Sequence, residues 1–219
     1  EAGIPAGAFN VVTGNGHEIG DSLTGHEDVD FVTFTGSAGV RQHINELCAK
    51  NKTPVTLELG GKSPTVILKD ADLEKVVPIA VKSIFMNSGQ ACIGSSRFYV
   101  ERPLYDAFAE KFAFIASKIG RGDLRDPNTV IGPIISERQR NRVREHIEDA
   151  VKKGATVLTG GEWEGNRCQP TVLTDISEEM IVCKEETFGP VTAIYPIESY
   201  EEGLEKANDT PYGLASAIF

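Results

Sequence analysis

Cys92 closes the run Phe85-Met86-Asn87-Ser88-Gly89-Gln90-Ala91-Cys92-Ile93-Gly94, a loop of small and polar residues. An apolar helical run precedes it and the strand-like Arg97-Phe98-Tyr99-Val100 follows. A thiol at the mouth of such a loop can meet solvent and backbone donors, the setting of a nucleophilic cysteine. The competing reading is a small buried Cys that fills a core gap. A second reactive candidate is Glu58, in Leu57-Glu58-Leu59-Gly60-Gly61-Lys62-Ser63-Pro64. An acid between two leucines and beside two glycines is badly placed for a solvated charge. Burial would raise its pKa, as a general base near neutral pH requires. A third stretch, Glu185-Glu186-Thr187-Phe188-Gly189-Pro190, joins carboxylates to an aromatic ring.

The elements that must carry these residues read as strands alternating with helices. Ala8–Val12 reads as a short strand ending at Thr13-Gly14, and Gly14-Asn15-Gly16 opens a helix over His17–Leu23. Glycine pairs mark any tight turn, so this spacing alone says little about a nucleotide. Asp30–Thr35 reads as a strand, and Gly36-Ser37-Ala38-Gly39 starts a helix to Lys50. A strand, a glycine turn and a helix N-terminus can present N–H groups to a phosphate. The same pattern also describes an ordinary capped helix.

Further strands are expected at Thr53–Leu57, Thr65–Leu68, Arg97–Glu101, Ala155–Leu158, Pro170–Leu173 and Val191–Ile197, with a last one over Leu214–Phe219. Asp70 or Asp72 caps a helix from Leu73 to about Met86, bent at Pro78. Pro103 opens a helix whose buried stripe is Leu104, Phe108, Phe112, Ile115 and Ile119. Ser136 with Gln139, and Ser199 with Glu202, are capping boxes. The helix after Ser136 has a narrow apolar face, Val143, Ile147, Ala150 and Val151; its charged face reads as solvated. Gly160–Gln169 reads as a polar loop. The fold class is α/β with largely parallel sheets and flanking helices.

Composition narrows the function. The 219 residues are 40% apolar and 25% charged, as in a globular chain, and 32 acids against 22 bases give a net charge of -10. That balance argues against a general nucleic-acid binder. No apolar run approaches a membrane span, and the first residues show no charged n-region followed by an apolar h-region. Cys48, Cys92, Cys168 and Cys183 are scattered, which suits reduced thiols in a cytoplasmic setting. No HxxxH or HExxH spacing occurs, so no metal site is expected.

Taken together, these segments resemble the aldehyde dehydrogenase superfamily. The resemblance rests on Pro5-Ala6-Gly7 with Asn10–Gly14, Phe34-Thr35-Gly36-Ser37, Leu57–Pro64, Gly89-Gln90-Ala91-Cys92, Pro170–Leu173, Glu185–Pro190 and Tyr212-Gly213-Leu214-Ala215. They cover almost the whole chain in the family's order. The Glu58 and Cys92 segments are the specific ones. The family's usual Gly-Ser-x-x-x-Gly is one residue shorter here, Gly36-Ser37-Ala38-Gly39-Val40-Arg41.

The resemblance implies a fragment truncated at both ends. Residues 1–58 would finish a dinucleotide-binding domain and 59–219 would form the cysteine-bearing catalytic domain. It implies oxidation of an aldehyde to a carboxylic acid with NAD or NADP. Cys92 would be the nucleophile, passing through a thiohemiacetal and a thioester, and Glu58 would activate the hydrolytic water. It places Gly16, Gly36, Ser37, Leu59, Glu186 and Phe188 at the cofactor, with Glu186 on the nicotinamide-side ribose and Phe188 beside it. A small-molecule aldehyde would be the partner, and the parent would be a homo-oligomer, dimer or tetramer. Acyl transfer to coenzyme A is an alternative; that branch usually lacks an acid at the Glu58 position. Another is an inactive domain that serves only in assembly.

Overall fold

The structure, a computed structural model, describes residues 3–219. The chain forms two compact units, one ending at Leu59 and the other spanning Gly60–Phe219.

In the first unit α1 (Gly16–Thr24) precedes a βαβ unit: β1 (Val32–Gly36), α2 (Ala38–Asn51) and β2 (Val55–Leu59). The two strands pair in parallel, Thr35 beside Glu58 and Gly36 beside Leu59. Val32, Ile44 and Cys48 are buried between the strands and α2. The expected strand at Ala8–Val12 does not form. Those residues are apolar but have no neighbouring strand to pair with, and Phe9 is 78% exposed.

The second unit runs β3 (Pro64–Ile67), α3 (Leu73–Phe85), β4 (Arg97–Glu101), α4 (Arg102–Ser117), α5 (Glu137–Lys152), β5 (Thr156–Thr159), β6 (Trp163–Glu164), β7 (Arg167–Cys168), β8 (Thr171–Thr174), α6 (Ile181–Lys184), β9 (Val191–Ile197), α7 (Tyr200–Asn208) and β10 (Ala217–Ile218). Its six-stranded sheet has the order β10-β3-β4-β9-β8-β5, parallel except for β5 against β8. The α/β architecture read from the sequence is therefore the one observed. Central strands β4, β8 and β9 are buried on both faces almost throughout, as helix-covered parallel strands must be.

Under α3 and α4 lie Phe85, Phe98, Phe108 and Phe112, all fully buried, with ring centroids 5.0–6.1 Å apart. Each such ring contributes about 2–3 kcal/mol by leaving water. Asp72 is the cap of α3, its carboxylate accepting the Glu74 N–H at 3.0 Å. Pro78 lies on the exposed side of α3, where its missing donor faces solvent. The polar stretch Gly160–Gln169 holds a small hairpin, β6 with β7, because Gly165 at φ +58° supplies a tight turn.

Candidate active site

The chain leaves α3 through a left-handed turn. Asn87, Ser88 and Gly89 all have positive φ, at 54°, 59° and 68°. Asparagine tolerates this region and glycine prefers it, but serine pays about 1 kcal/mol or more. The offsetting bonds are visible. Asn87 Nδ2 donates to Gln90 O at 2.9 Å, and the buried Ser88 Oγ accepts the Gly132 N–H at 2.8 Å. At Gly89 a side chain is impossible: a Cβ would lie 2.2 Å from Gly189 O.

Cys92 follows in a β-turn closed by Gly94 N–H on Ala91 O. It is half-buried, between the buried Cys48 and Cys168 and a surface thiol in accessibility. Its carbonyl lies against Gly61, where a Cβ would come within 2.5 Å. That contact explains the second glycine of Gly60-Gly61.

The first glycine serves Glu186. A Cβ on Gly60 would fall 2.3 Å from Glu186 Oε2, and Gly61 N–H donates to Glu186 Oε1 at 3.0 Å. Phe188, at φ 51°, is a strained non-glycine residue of the same loop. A narrow crevice lined by Gly61, Ala91, Gly94, Glu186 and Phe188 brings the thiol turn and this loop together. The turn that carries Cys92 and the loop that carries Glu186 and Phe188 are thus neighbours in the second unit.

In the first unit, Gly36 and Leu59 end adjacent parallel strands, with Ser37 at the N-cap of α2 and Gly16 opening α1. Carboxyl ends of parallel strands are where α/β folds hold ligands. The Ser37 hydroxyl makes no cap bond. Glu58 departs from expectation. Strand alternation sends Leu57 and Leu59 to one face and leaves Glu58 exposed on the other, so the anticipated burial is absent.

Four residues have surroundings that the sequence reading did not find. Lys62 is 2% exposed, and its ammonium has no partner among the described residues. Burial first, then the Arg97 guanidinium, lowers its pKa from 10.5 to about 7. The other three lie on α5. Gln139 Nε2 donates to Thr187 O and Phe188 O at 2.8 and 3.0 Å. Arg142 Nε donates to Glu186 O at 2.9 Å, and its Nη2 reaches Glu185. His146 Nδ1 lies 3.0 Å from Thr187 Oγ1. Burial brings the pKa of His146 down to about 4, so the ring is neutral at pH 7. The charged face of α5 is therefore not wholly solvated. The Ser136 hydroxyl does accept the Gln139 N–H, but the Gln139 side chain turns away from the cap toward the loop. Only the i, i+3, i+7 spacing hinted at this, and it does not name a partner.

Comparison with known proteins gives the family. A model of the aldehyde dehydrogenase family matches residues 1–219, and the chain belongs to that family. Glutarate-semialdehyde dehydrogenase of Pseudomonas putida is 45% identical over 219 residues, covering all of this chain and 46% of that protein. The NADP-dependent succinate-semialdehyde dehydrogenase of Escherichia coli is 44% identical over 221 residues, again across all of this chain and 46% of its own length. Among solved structures, an Escherichia coli NADP-dependent enzyme superposes with a TM-score of 0.95 at 43% identity, over 99% of this chain and 46% of that one. The NAD+ complex of a Bacillus cereus aldehyde dehydrogenase gives 0.94 at 41%, over 99% and 45%. The chain thus spans about half the length of the relatives it matches. No helix among the described residues is long and apolar enough to cross a membrane.

Proposed function

We propose that the protein carrying this chain oxidises an aldehyde to a carboxylic acid with NAD or NADP. The observation that carries the reading is a half-buried thiol in a rigid turn, beside a loop that presents an anchored carboxylate and an aromatic ring. Glu186 fits a cofactor ribose: Oε1 is fixed by Gly61 N–H, and a carboxylate accepts from paired hydroxyls. Phe188 offers a flat apolar face beside it. Gly36 and Ser37 supply a strand end and helix start of the kind that meets a pyrophosphate. Leu59 ends the neighbouring strand and Gly16 opens a turn on the same chain segment. Residues 1–58 are assigned to cofactor binding and 59–219 to catalysis.

When bound, the dinucleotide supplies a hydride acceptor. Cys92 as thiolate adds to the aldehyde carbonyl, and its own backbone N–H would be a donor to the developing oxyanion. Collapse of that adduct with loss of hydride leaves a thioester on Sγ. Glu58 then takes a proton from water, the hydroxyl adds to the thioester carbon, and the carboxylic acid leaves as Sγ is restored. The semialdehydes named for the relatives make a semialdehyde the first substrate class to try.

The test uses Cys92→Ala and Glu58→Gln in the full-length protein. Cys92→Ala removes aldehyde-dependent NAD(P)H formation altogether; retained turnover overturns the assignment. Glu58→Gln leaves a single-turnover burst of NAD(P)H and slows steady turnover by about 10²-fold or more. If Glu58→Gln turns over normally once coenzyme A is added, and wild type also requires it, acyl transfer replaces hydrolysis.

A further inference from the structure

One continuous stretch, residues 132–146, contributes bonds both to the thiol turn and to the Glu186 loop. Its first part faces the turn. Ser88 Oγ and the Gly132 N–H are bonded at 2.8 Å, and Gln90 Oε1 accepts the Ile135 N–H at 3.0 Å. Ser136 then caps α5, and the helix turns Gln139, Arg142 and His146 onto the backbone and hydroxyl of residues 186–188. Val143, on the same face, closes the contact: a Cβ on Gly189 would come 2.5 Å from its Cγ2. Opposite, Gly89 abuts Gly189 and Pro190, so the two loops are also in direct contact.

From this arrangement we infer that residues 132–146 act as a positioning brace that fixes Glu186 and Phe188 relative to Cys92, with Arg142 as its central tie. The inference deepens the proposed function and rests on it for the meaning of Glu186. None of the braced bonds reaches a reacting atom, so these are positioning residues. Arg142 is suited to the task because its planar fork spans two acceptors, a main-chain carbonyl and the Glu185 carboxylate, in one geometry. Gln139 adds a second, charge-free tie to the next two carbonyls. A displacement of about 1 Å at such a loop costs on the order of 10²-fold in a reaction that needs aligned atoms.

The experiment compares Arg142→Met, Arg142→Lys and Gln139→Leu with the surface control Arg138→Gln in the full-length protein. Three quantities are read: the alkylation rate of Cys92 by iodoacetamide, resolved by peptide mass; the affinity for NAD(P)H by its fluorescence; and the thermal midpoint. Arg142→Met is expected to weaken NAD(P)H binding about tenfold, the loss of one charge-assisted bond. It also changes the Cys92 alkylation rate about threefold or more. Arg142→Lys recovers part of both, and Arg138→Gln alters neither. A fall in thermal midpoint with binding and alkylation within about twofold of wild type overturns the brace, as does an equal effect of Arg138→Gln. Should Arg142→Met not fold, Gln139→Leu asks the same question of the same loop. Alkylation needs no cofactor, so a protein that binds no NAD(P)H refutes the proposed function while the brace is still judged by Cys92 alone.

Discussion

The turn ahead of Cys92 and the loop that carries Glu186 touch one another, yet they are stabilised by opposite means. The turn is largely made by its own residues. Three successive left-handed conformations and the Asn87 bond to Gln90 shape it, and the segment from Gly132 adds support. The Glu186 loop makes little of itself. Its carbonyls go to Gln139 and Arg142, its threonine to His146, its carboxylate to Gly61. Under the proposed function the contrast has a use: a nucleophile gains from a backbone that cannot relax during attack, and a cofactor contact from ties that side chains can tune. The contrast predicts where each loop breaks first: the turn through its backbone, the loop through distant side chains, with the stretch 132–146 passing a smaller effect between them.

The strongest way to break the turn is Gly89→Ala. The new Cβ would meet backbone atoms of Gly189 and Pro190, and φ +68° is unfavourable for alanine. Neither partner is the end of a flexible chain, so the turn must move. Loss of about 3–5 kcal/mol of stability is expected, with a changed rate of Cys92 alkylation. Urea unfolding with the alkylation assay checks both. A stable variant with an unaltered thiol would mean that the turn is not self-made.

That self-made character is why the turn was legible from the sequence. Asn-Ser-Gly after an apolar helix spells a turn by local chemistry, as Asp72, Ser136 and Ser199 spell caps. The alternation of strands and helices was legible for the same reason. The failures all concern partners. Ala8–Val12 has a strand's composition but no strand to join. Glu58 was expected to be buried because its neighbours are leucines, yet alternation along β2 is the stronger rule. Arg142 sits in a run of charges, and nothing local distinguishes it from the exposed Arg138 or Arg144. Its role depends on a loop more than forty positions away along the chain. Lys62 was read only as part of a motif, and its burial follows from the packing around β3.

Lys62 gives stability a pH dependence of its own. Its ammonium is lowered from 10.5 to about 7 by burial, so between those values the unfolded chain binds a proton that the folded chain does not. Stability therefore rises with pH across that window, and the full penalty is present below about 7. Lys62→Met removes the penalty. At pH 6–7 it should stabilise the second unit by up to about 4 kcal/mol, with the gain vanishing near pH 10.5. Chemical denaturation at several pH values reads this directly. A variant less stable than wild type at pH 6–7 would show that the ammonium has a favourable partner when folded.

The smallest stability effect, and the sharpest on the comparison, is Gly60→Ala. Here the added Cβ meets the Glu186 carboxylate, the far end of a side chain, and the backbone of Gly60 is not in the left-handed region. The carboxylate can swing aside, so the change in stability should stay within about 1 kcal/mol. Moving it, however, strains the Gly61 N–H bond that fixes Oε1. Weaker NAD(P)H binding with unchanged Cys92 alkylation is then expected, because the turn's own backbone is untouched. Gly89→Ala and Gly60→Ala thus form a pair: a methyl against main chain is expected to unsettle the Cys92 turn, while a methyl against a carboxylate is expected to unsettle only Glu186. If Gly60→Ala altered alkylation as strongly as Gly89→Ala, the two loops would form one mechanical unit, and the division between a self-made turn and a tied loop would fail.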